Sequence, residues 1–408
     1  MIDERAWMTW SDVWTRIDRY KGKVIFFGYS KYWIDKTLPH ISSTLRFTVV
    51  DNSENFQGQA CEYSDLPIHE PDDRIYLEED FIIITSLSYE SIYEELVGKE
   101  FEPGIDFCIT PAMNDLKVIS DIHSHGARLL ISSPDHLIYS DMDRNSNIGG
   151  GLYIYNIGTN ECNKVATGTF RQMVKGKDDL IYILDEARGI LIGKGDYFNN
   201  GWIHIDKELR PHGLAYCEEN ERLFLAATNK NQIIRMELTG DGLHIGDSNL
   251  IFNSKRSHWV NDLVVKDGEV YASMFSLSGL QSEGMYDGGI IRVGSEESWT
   301  GTVVAERLWM PHSVRFFNGA IHYLDSMNGL FYKGSRVIGE FPGFTRGLAY
   351  DGKYYYVGQS ENRYFNLHRG ERKHIGMNAG FYLFDEETKA AKFFSMPMIH
   401  QVHDIMVL

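Results

Sequence analysis

The chain has 408 residues, 43% of them hydrophobic and 24% charged, and a formal net charge of −17. That is ordinary globular composition in a length beyond one small core, so one large all-β unit or two domains is expected. The negative charge argues against general affinity for nucleic acid or anionic membranes, and leaves a small anion in a local basic pocket as the expected partner.

Cys61, Cys108, Cys162 and Cys217 are scattered without a CxxC pair, so neither structural zinc nor a disulfide framework is indicated. A reducing cytoplasm fits best. The opening MIDERAWMTW is charged at once and lacks the apolar core of a secretory signal, and no apolar run is long enough to span a bilayer.

Residues 1–21 hold a short amphipathic helix within TWSDVWTRIDRYKG. Trp7, Trp10, Trp14 and Ile17 recur at helical spacing and are expected to line one face. That face docks on its own domain or, alternatively, makes a homo-oligomer contact. Residues 22–122 have an α/β texture. KVIFFG, FTVVD, FIIITS and DFCITP are continuous apolar runs of buried parallel-strand type, with helical stretches such as SYESIYEELVGK between them. Of a G-x-G-x-x-G fingerprint only Gly28 is present, so no dinucleotide cofactor is expected. Asp51 ends FTVVD, where a ribose-binding acid or a turn residue would sit. Residues 22–120 resemble the small Rossmann-like modules attached to bacterial sugar-modifying enzymes.

From residue 123 to 408 the pattern changes to short strands with Gly, Asn and Asp turns, and the strands repeat. One type recurs as HLIYSDMD, LIYILDEARG, RLFLAATNKN, VYASMFSLSG, AIHYLDSMNG and YYYVGQSEN. A second follows each copy: GGLYIYNI, RGILIGKG, NQIIRMEL, GGIIRVG, GLFYKG and AGFYLFDE. Six copies of two successive strands predict a six-bladed β-propeller, mainly β, preceded by the small α/β Rossmann-like domain. SHGARLLISS, with His125, offers an alternative seventh inner strand.

The inner strands align as FRQMVK, PHGLAY, VNDLVV, PHSVRF, TRGLAY and VHDIMVL. Their equivalent position holds Arg171, His212, Asn261, His312, Arg346 and His403, which a propeller brings to one mouth of its channel. The last copy ends the chain and is expected to close the ring with the first blade. Histidines come from alternate blades. Three imidazoles, His212, His312 and His403, suit a divalent metal ion with open positions. Arg171 and Arg346, with Asn261, suit a carboxylate or phosphate. A metal beside an anchored carboxylate supports lyase, epimerase or hydrolase chemistry, and without a metal a histidine can itself be the base or acid. The expected activity is therefore a metal-assisted reaction on a small anionic substrate, a sugar acid or nucleotide-linked sugar. The rivals are a non-catalytic propeller that binds an anionic glycan or peptide, and an assembly scaffold.

The long connection SENRYFNLHRGERKHIGMNAG, with Arg363, Arg369, Arg372 and His374, is expected on the same face and adds basic charge for the substrate. Asp141, Asp185, Asp325 and Glu361 read as turn formers or further acids, and His258, His400 and the His123–His125 pair as weaker candidates. On strict alternation Asp262 and Asp404 turn away from the channel. The blade motifs resemble those of the gluconolactonase and regucalcin class, which implies a metal held by a Glu, Asn and Asp set. Only Asn261 matches that set. The histidine ring is closer in type to propeller lyases acting on uronic acids or cyclic esters. The whole chain is similar to a bacterial propeller family with PHGLAY-like and PHSV-like motifs.

Overall fold

The structure is a computed structural model, and it describes residues 2–17, 23–41, 45–72, 80–134, 149–239, 242–280, 286–293, 301–368 and 374–408. The chain divides into two compact units, Met1–His123 and Ser124–Leu408.

In the first unit the apolar runs form β1 (Val24–Phe27), β2 (Phe47–Val50), β3 (Phe81–Ile84) and β4 (Phe107–Ile109). They pair in parallel in the order β2-β1-β3-β4. Alternate residues feed two cores, which is why the runs are apolar without interruption. Val24, Phe26, Phe81 and Ile83 pack with Val13 and Ile17 of α1 (Trp10–Ile17) and Ile34 of α2 (Lys31–Thr37). Ile25, Phe27, Ile82 and Ile84 pack with Ile92 and Leu96 of α3 (Tyr89–Gly98). The expected tryptophan face of α1 is corrected. Its buried stripe is Val13 and Ile17, an i, i+4 pair, while Trp14 lies about 100° further round the helix and is 37% exposed. Trp10 stacks on His40. Asp51 accepts the Tyr29 and Ser53 amides, tying the end of β2 to the turn after β1.

The second unit is a propeller of six four-stranded antiparallel sheets. The inner strands are Phe170–Lys175, Pro211–Cys217, Val260–Lys266, Pro311–Phe317, Phe344–Tyr350 and Asp404–Val407. Each touches the next around a closed ring. Apolar faces stack between neighbouring blades, for example Leu214, Leu223 and Leu225 against Tyr182, Leu184 and Ile190. The last gap is filled by Tyr155 edge-on to Phe381 and Phe394. The ring closes because the chain's last strand, Asp404–Val407, joins a sheet begun near residue 128, which leaves no open sheet edge at the seam.

That seam corrects two strand assignments. Arg128–Ser133, within SHGARLLISS, is the second strand of the closing blade, paired with Asp404–Val407 on one side and Gly151–Asn156 on the other. It is therefore no inner strand, and the seven-blade alternative falls. HLIYSDMD, expected to be that second strand, lies outside the described residues.

Five inner strands begin with a break in pairing register, between Phe170 and Met173, Pro211 and Gly213, Val260 and Leu263, His312 and Arg315, and Thr345 and Leu348. A bulge sets two residues against one and re-aims side chains. Two successive residues thus serve the axis instead of one. The second of each pair belongs to a layer made of Gln172, Gly213, Asp262, Ser313, Gly347 and Asp404. Gln172 accepts the Leu214 and Leu263 amides and donates to the Leu263 carbonyl, joining three blades. Asp262 accepts the Ser313 amide, and Ser313 Oγ accepts the Gly347 amide. Asp404 accepts the Met173 amide at 2.9 Å and Arg315 Nη2 at 2.6 and 2.7 Å. Asp262 does not turn away from the axis, because the bulge cancels the alternation; Asp404, which opens its strand in regular register, reaches the same layer through its bonds to Met173 and Arg315. A Cβ at Gly213 would lie 2.1 Å from the Asn261 carbonyl oxygen, so glycine alone allows that approach.

Candidate functional site

Above this layer the axis opens into a cavity of about 150 Å³. Five of the six ring positions line it: Arg171, His212, Asn261, His312 and Arg346. His403 lies behind it, 1% exposed, with its ring edge-on to His212 at 6.3 Å between centroids. Side chains from distant sequence positions do meet at one mouth.

The charges there are unevenly partnered. Arg171 is held by Glu186, with Nε 3.1 Å from the carboxylate. Arg346 is 5% exposed and has no carboxylate partner among the described residues. Its Nη1 reaches only the Gln401 amide oxygen at 3.4 Å, and its Nε has no hydrogen-bond partner. Burial, and then the charge of Arg171, pushes its pKa down to about 9. An unpaired buried guanidinium is costly, and an anion beside it would lower that cost.

The three imidazoles are held neutral. Burial is the main cause for each, and the neighbouring guanidiniums add to it: Arg171 and Arg346 at His212, Arg346 at His312, and Arg346 and Arg171 at His403. All three titrate well below the usual 6.5. His312 Nδ1 faces the Met310 carbonyl at 2.9 Å and Ser326 Oγ at 2.8 Å. A carbonyl can only accept, so Nδ1 carries the hydrogen and Nε2 the lone pair.

The metal expectation is corrected by this geometry. Among the described residues no three His, Cys, Asp or Glu side chains gather into a group able to hold a metal ion. His212, His312 and His403 therefore do not form a ligand triad, and two guanidiniums beside them repel a cation. A Glu, Asn and Asp set is not assembled either, since Asp262 and Asp404 lie in the layer beneath with other partners.

Glu361 lines the cavity, with His400 Nδ1 2.7 Å from its carboxylate, and so does Arg363. Asp185 and Asp325 are buried turn formers: Asp185 accepts the Ala187 and Arg188 amides and pairs with Arg188, and Asp325 accepts the Trp309 amide. His258 bonds the Ser276 carbonyl. His125 bonds Asp351 and Tyr356, and His123 is exposed, so they make no H-x-H metal pair. Arg369, Arg372 and Asp141 lie outside the described residues.

Sequence reasoning missed the walls. Trp259, Met310, Phe344 and Gln401 line the mouth, each two residues before a ring position, together with Phe275 and Tyr364. The signal was positional, because each stands at the entry to an inner strand, where the chain arrives at the mouth. The repeat alignment that located the ring also located these.

The sequence profile of a domain of unknown function, DUF4915, matches residues 198–408. The chain belongs to the DUF4915 family. The DUF4915 match runs from the outer strand Tyr197–Ile203 to the last residue and holds His212, Asn261, His312, Arg346 and His403. A search among curated proteins found no match. Among solved structures, a nidogen/laminin complex is similar at 10% identity and TM-score 0.46, over 69% of this chain and 98% of that one. The periplasmic gluconolactonase of Pseudomonas aeruginosa is similar at 10% identity and TM-score 0.42, over 70% and 99%. A virginiamycin B lyase from Staphylococcus aureus is similar at 9% identity and TM-score 0.39, over 67% and 85%.

Proposed function

We propose that the propeller mouth binds a small organic carboxylate and that its neutral imidazoles move a proton on that molecule. The observation that carries this reading is Arg346, a buried guanidinium without a carboxylate partner among the described residues. Arg171 and Arg363 also line the cavity, the neutral imidazoles add hydrogen-bonding nitrogens, and Phe275, Phe344 and Trp259 offer apolar faces to the rest of the molecule. A sugar acid fits this pairing of charge and apolar wall.

With the carboxylate on Arg346, the acidified C–H next to it is the bond to break. The proton passes to a free imidazole nitrogen, such as Nε2 of His312, and the electron pair is held beside the guanidiniums as an enolate. Expulsion of a β-substituent gives a lyase, and return of the proton on the opposite face gives an epimerase. General base catalysis of this type contributes about 10²–10⁴-fold. No step requires a metal ion. For the first unit, the parallel order β2-β1-β3-β4 with cores on both faces supports a Rossmann-like winding, without a dinucleotide as its ligand.

The test is calorimetric titration with uronates and aldonates. Arg346→Leu is expected to abolish binding while the protein stays folded. Unchanged affinity in that variant removes the reading. Proton chemistry is checked by incubation in heavy water: a substrate that binds yet never exchanges its α-hydrogen marks the mouth as a recognition site without catalysis.

A further inference from the structure

Among the described residues Glu361 is the single carboxylate that lines the mouth, in a cavity of about 150 Å³ shared with Arg346, His212 and His312. His400 Nδ1 stands 2.7 Å from that carboxylate. Among the described residues the carboxylate pairs with no arginine, although Arg171, Arg346 and Arg363 line the same cavity. Two contacts fix its place. Glu361 donates its backbone amide to the His400 carbonyl, and Ser360 Oγ donates to the Val402 carbonyl. Glu361 is thereby tied to the seam between its own blade and the closing one. Arg346 belongs to the same blade as Glu361, and His312 to the blade before it. In ring order, therefore, Arg346 has an imidazole on one side and a carboxylate on the other.

Two proton-carrying groups on either side of one anchor suit transfer at both faces of one carbon. Resting on the reading that the mouth takes a carboxylate and an imidazole moves its α-proton, we propose that Glu361 is a second catalytic acid–base group and that the reaction is epimerisation beside the carboxylate. His312 Nε2 takes the α-proton, and the electrons of the C–H bond pass into the enolate. The enolate pair then takes a proton from the Glu361 carboxyl group on the other face, and a C–H bond of opposite configuration forms. Glu361 is left as a carboxylate and His312 as an imidazolium. Water restores both, and nothing is oxidised or reduced. The two groups differ in their access to water. The Glu361 side chain is 37% exposed and that of His400 28%, so a proton on this pair exchanges with solvent between turnovers. His312 is 2% exposed, and holds the proton it has taken long enough to hand it back.

The experiment incubates gluconate and glucuronate with wild-type protein in heavy water and follows the first turnovers by proton NMR. The epimers, mannonate and iduronate, are expected to carry deuterium at the inverted carbon from the start, while the unconverted acids keep their α-hydrogen. Glu361→Gln is expected to lower epimer formation at least about 100-fold with gluconate binding preserved, and Glu361→Asp to recover part of the rate. Early deuterium in substrate and epimer alike means that one base serves both faces. That result overturns the role of Glu361 and needs no variant to fold. Undiminished epimer formation in folded Glu361→Gln overturns it too. Exchange of the α-hydrogen without any epimer overturns this inference and leaves the proton-transfer reading standing. Binding without exchange overturns both, and absence of binding by either acid overturns the mouth reading with them.

Discussion

The ring layer and the layer beneath it lie one residue apart along the same strands, yet they treat polar groups in opposite ways. In the lower layer, Gln172, Asp262, Ser313 and Asp404 spend their side-chain oxygens on backbone amides of other blades. In the upper layer Arg346, Asn261 and His403 keep atoms without partners. Both layers are buried, so exposure does not explain the contrast. Buried polar groups are normally satisfied, and a layer that breaks the rule beside one that obeys it is where the proposed ligand would be met. The lower layer holds the blades together, and on the proposed function the upper one waits for a ligand.

The sharpest way to break this division is to exchange its effects. Asp404→Ala leaves the half-buried Arg315 without its partner and strands the Met173 amide, and is expected to cost about 3 kcal/mol in urea unfolding. Gln172→Ala strands two amides and is expected to cost about 1–3 kcal/mol. Arg346→Leu removes a charge that no carboxylate pairs among the described residues, so stability is expected to hold or rise while carboxylate affinity is lost. If Arg346→Leu destabilises as much as Asp404→Ala, the upper layer is structural and the division fails.

The layers also answer pH with opposite signs. The mouth imidazoles titrate well below 6.5 in the folded protein. Below that value the unfolded chain takes up protons that the folded state refuses, so their effect is a stability that is full above 6.5 and falls as pH drops. Asp262 is pushed up to about 6 from 3.8, first by its burial. Between those values the folded state holds a proton that the unfolded chain has lost, so its contribution falls as pH rises. Unfolding at pH 5 and pH 7 separates the two. The His212→Gln, His312→Gln pair is expected to flatten the gain in stability with pH, and Asp262→Asn to steepen it.

The six-fold repeat was legible because each blade must bury both sheet faces, which imposes the same apolar strands every time. The ring residues were legible for the same reason, as one polar position recurring before an apolar run. The closing blade was harder. Its second strand, Arg128–Ser133, follows a helix and reads as an inner strand, since its own inner strand arrives only at residue 404. The lower layer was illegible because a period of two cannot announce a bulge, and the bulge is what turns Asp262 inward. The metal triad failed one step further on. Recurrence placed three imidazoles around one axis, but whether they converge depends on ring size and side-chain direction, which no spacing encodes.

The smallest expected effect tests how far the upper layer's purpose extends toward solvent. Trp259 stands two residues before Asn261, 40% exposed, with its ring parallel to Phe275 at 6.5 Å. It adopts a left-handed backbone, φ 53°, which a bulky side chain rarely does without a compensating contact. Trp259→Ala removes little buried area, and a glycine there relieves the backbone. Folding stability is therefore expected to stay level in Trp259→Ala and to rise slightly in Trp259→Gly. If the aromatic wall belongs to the binding layer, both variants weaken gluconate by about 0.5–1.5 kcal/mol, the usual worth of one aromatic contact. Propionate, with only an ethyl group beyond its carboxylate, is expected to lose less affinity than gluconate. Equal losses for both ligands would mean that Trp259 shapes the cavity and does not touch its guest, which would confine the binding layer to the ring itself.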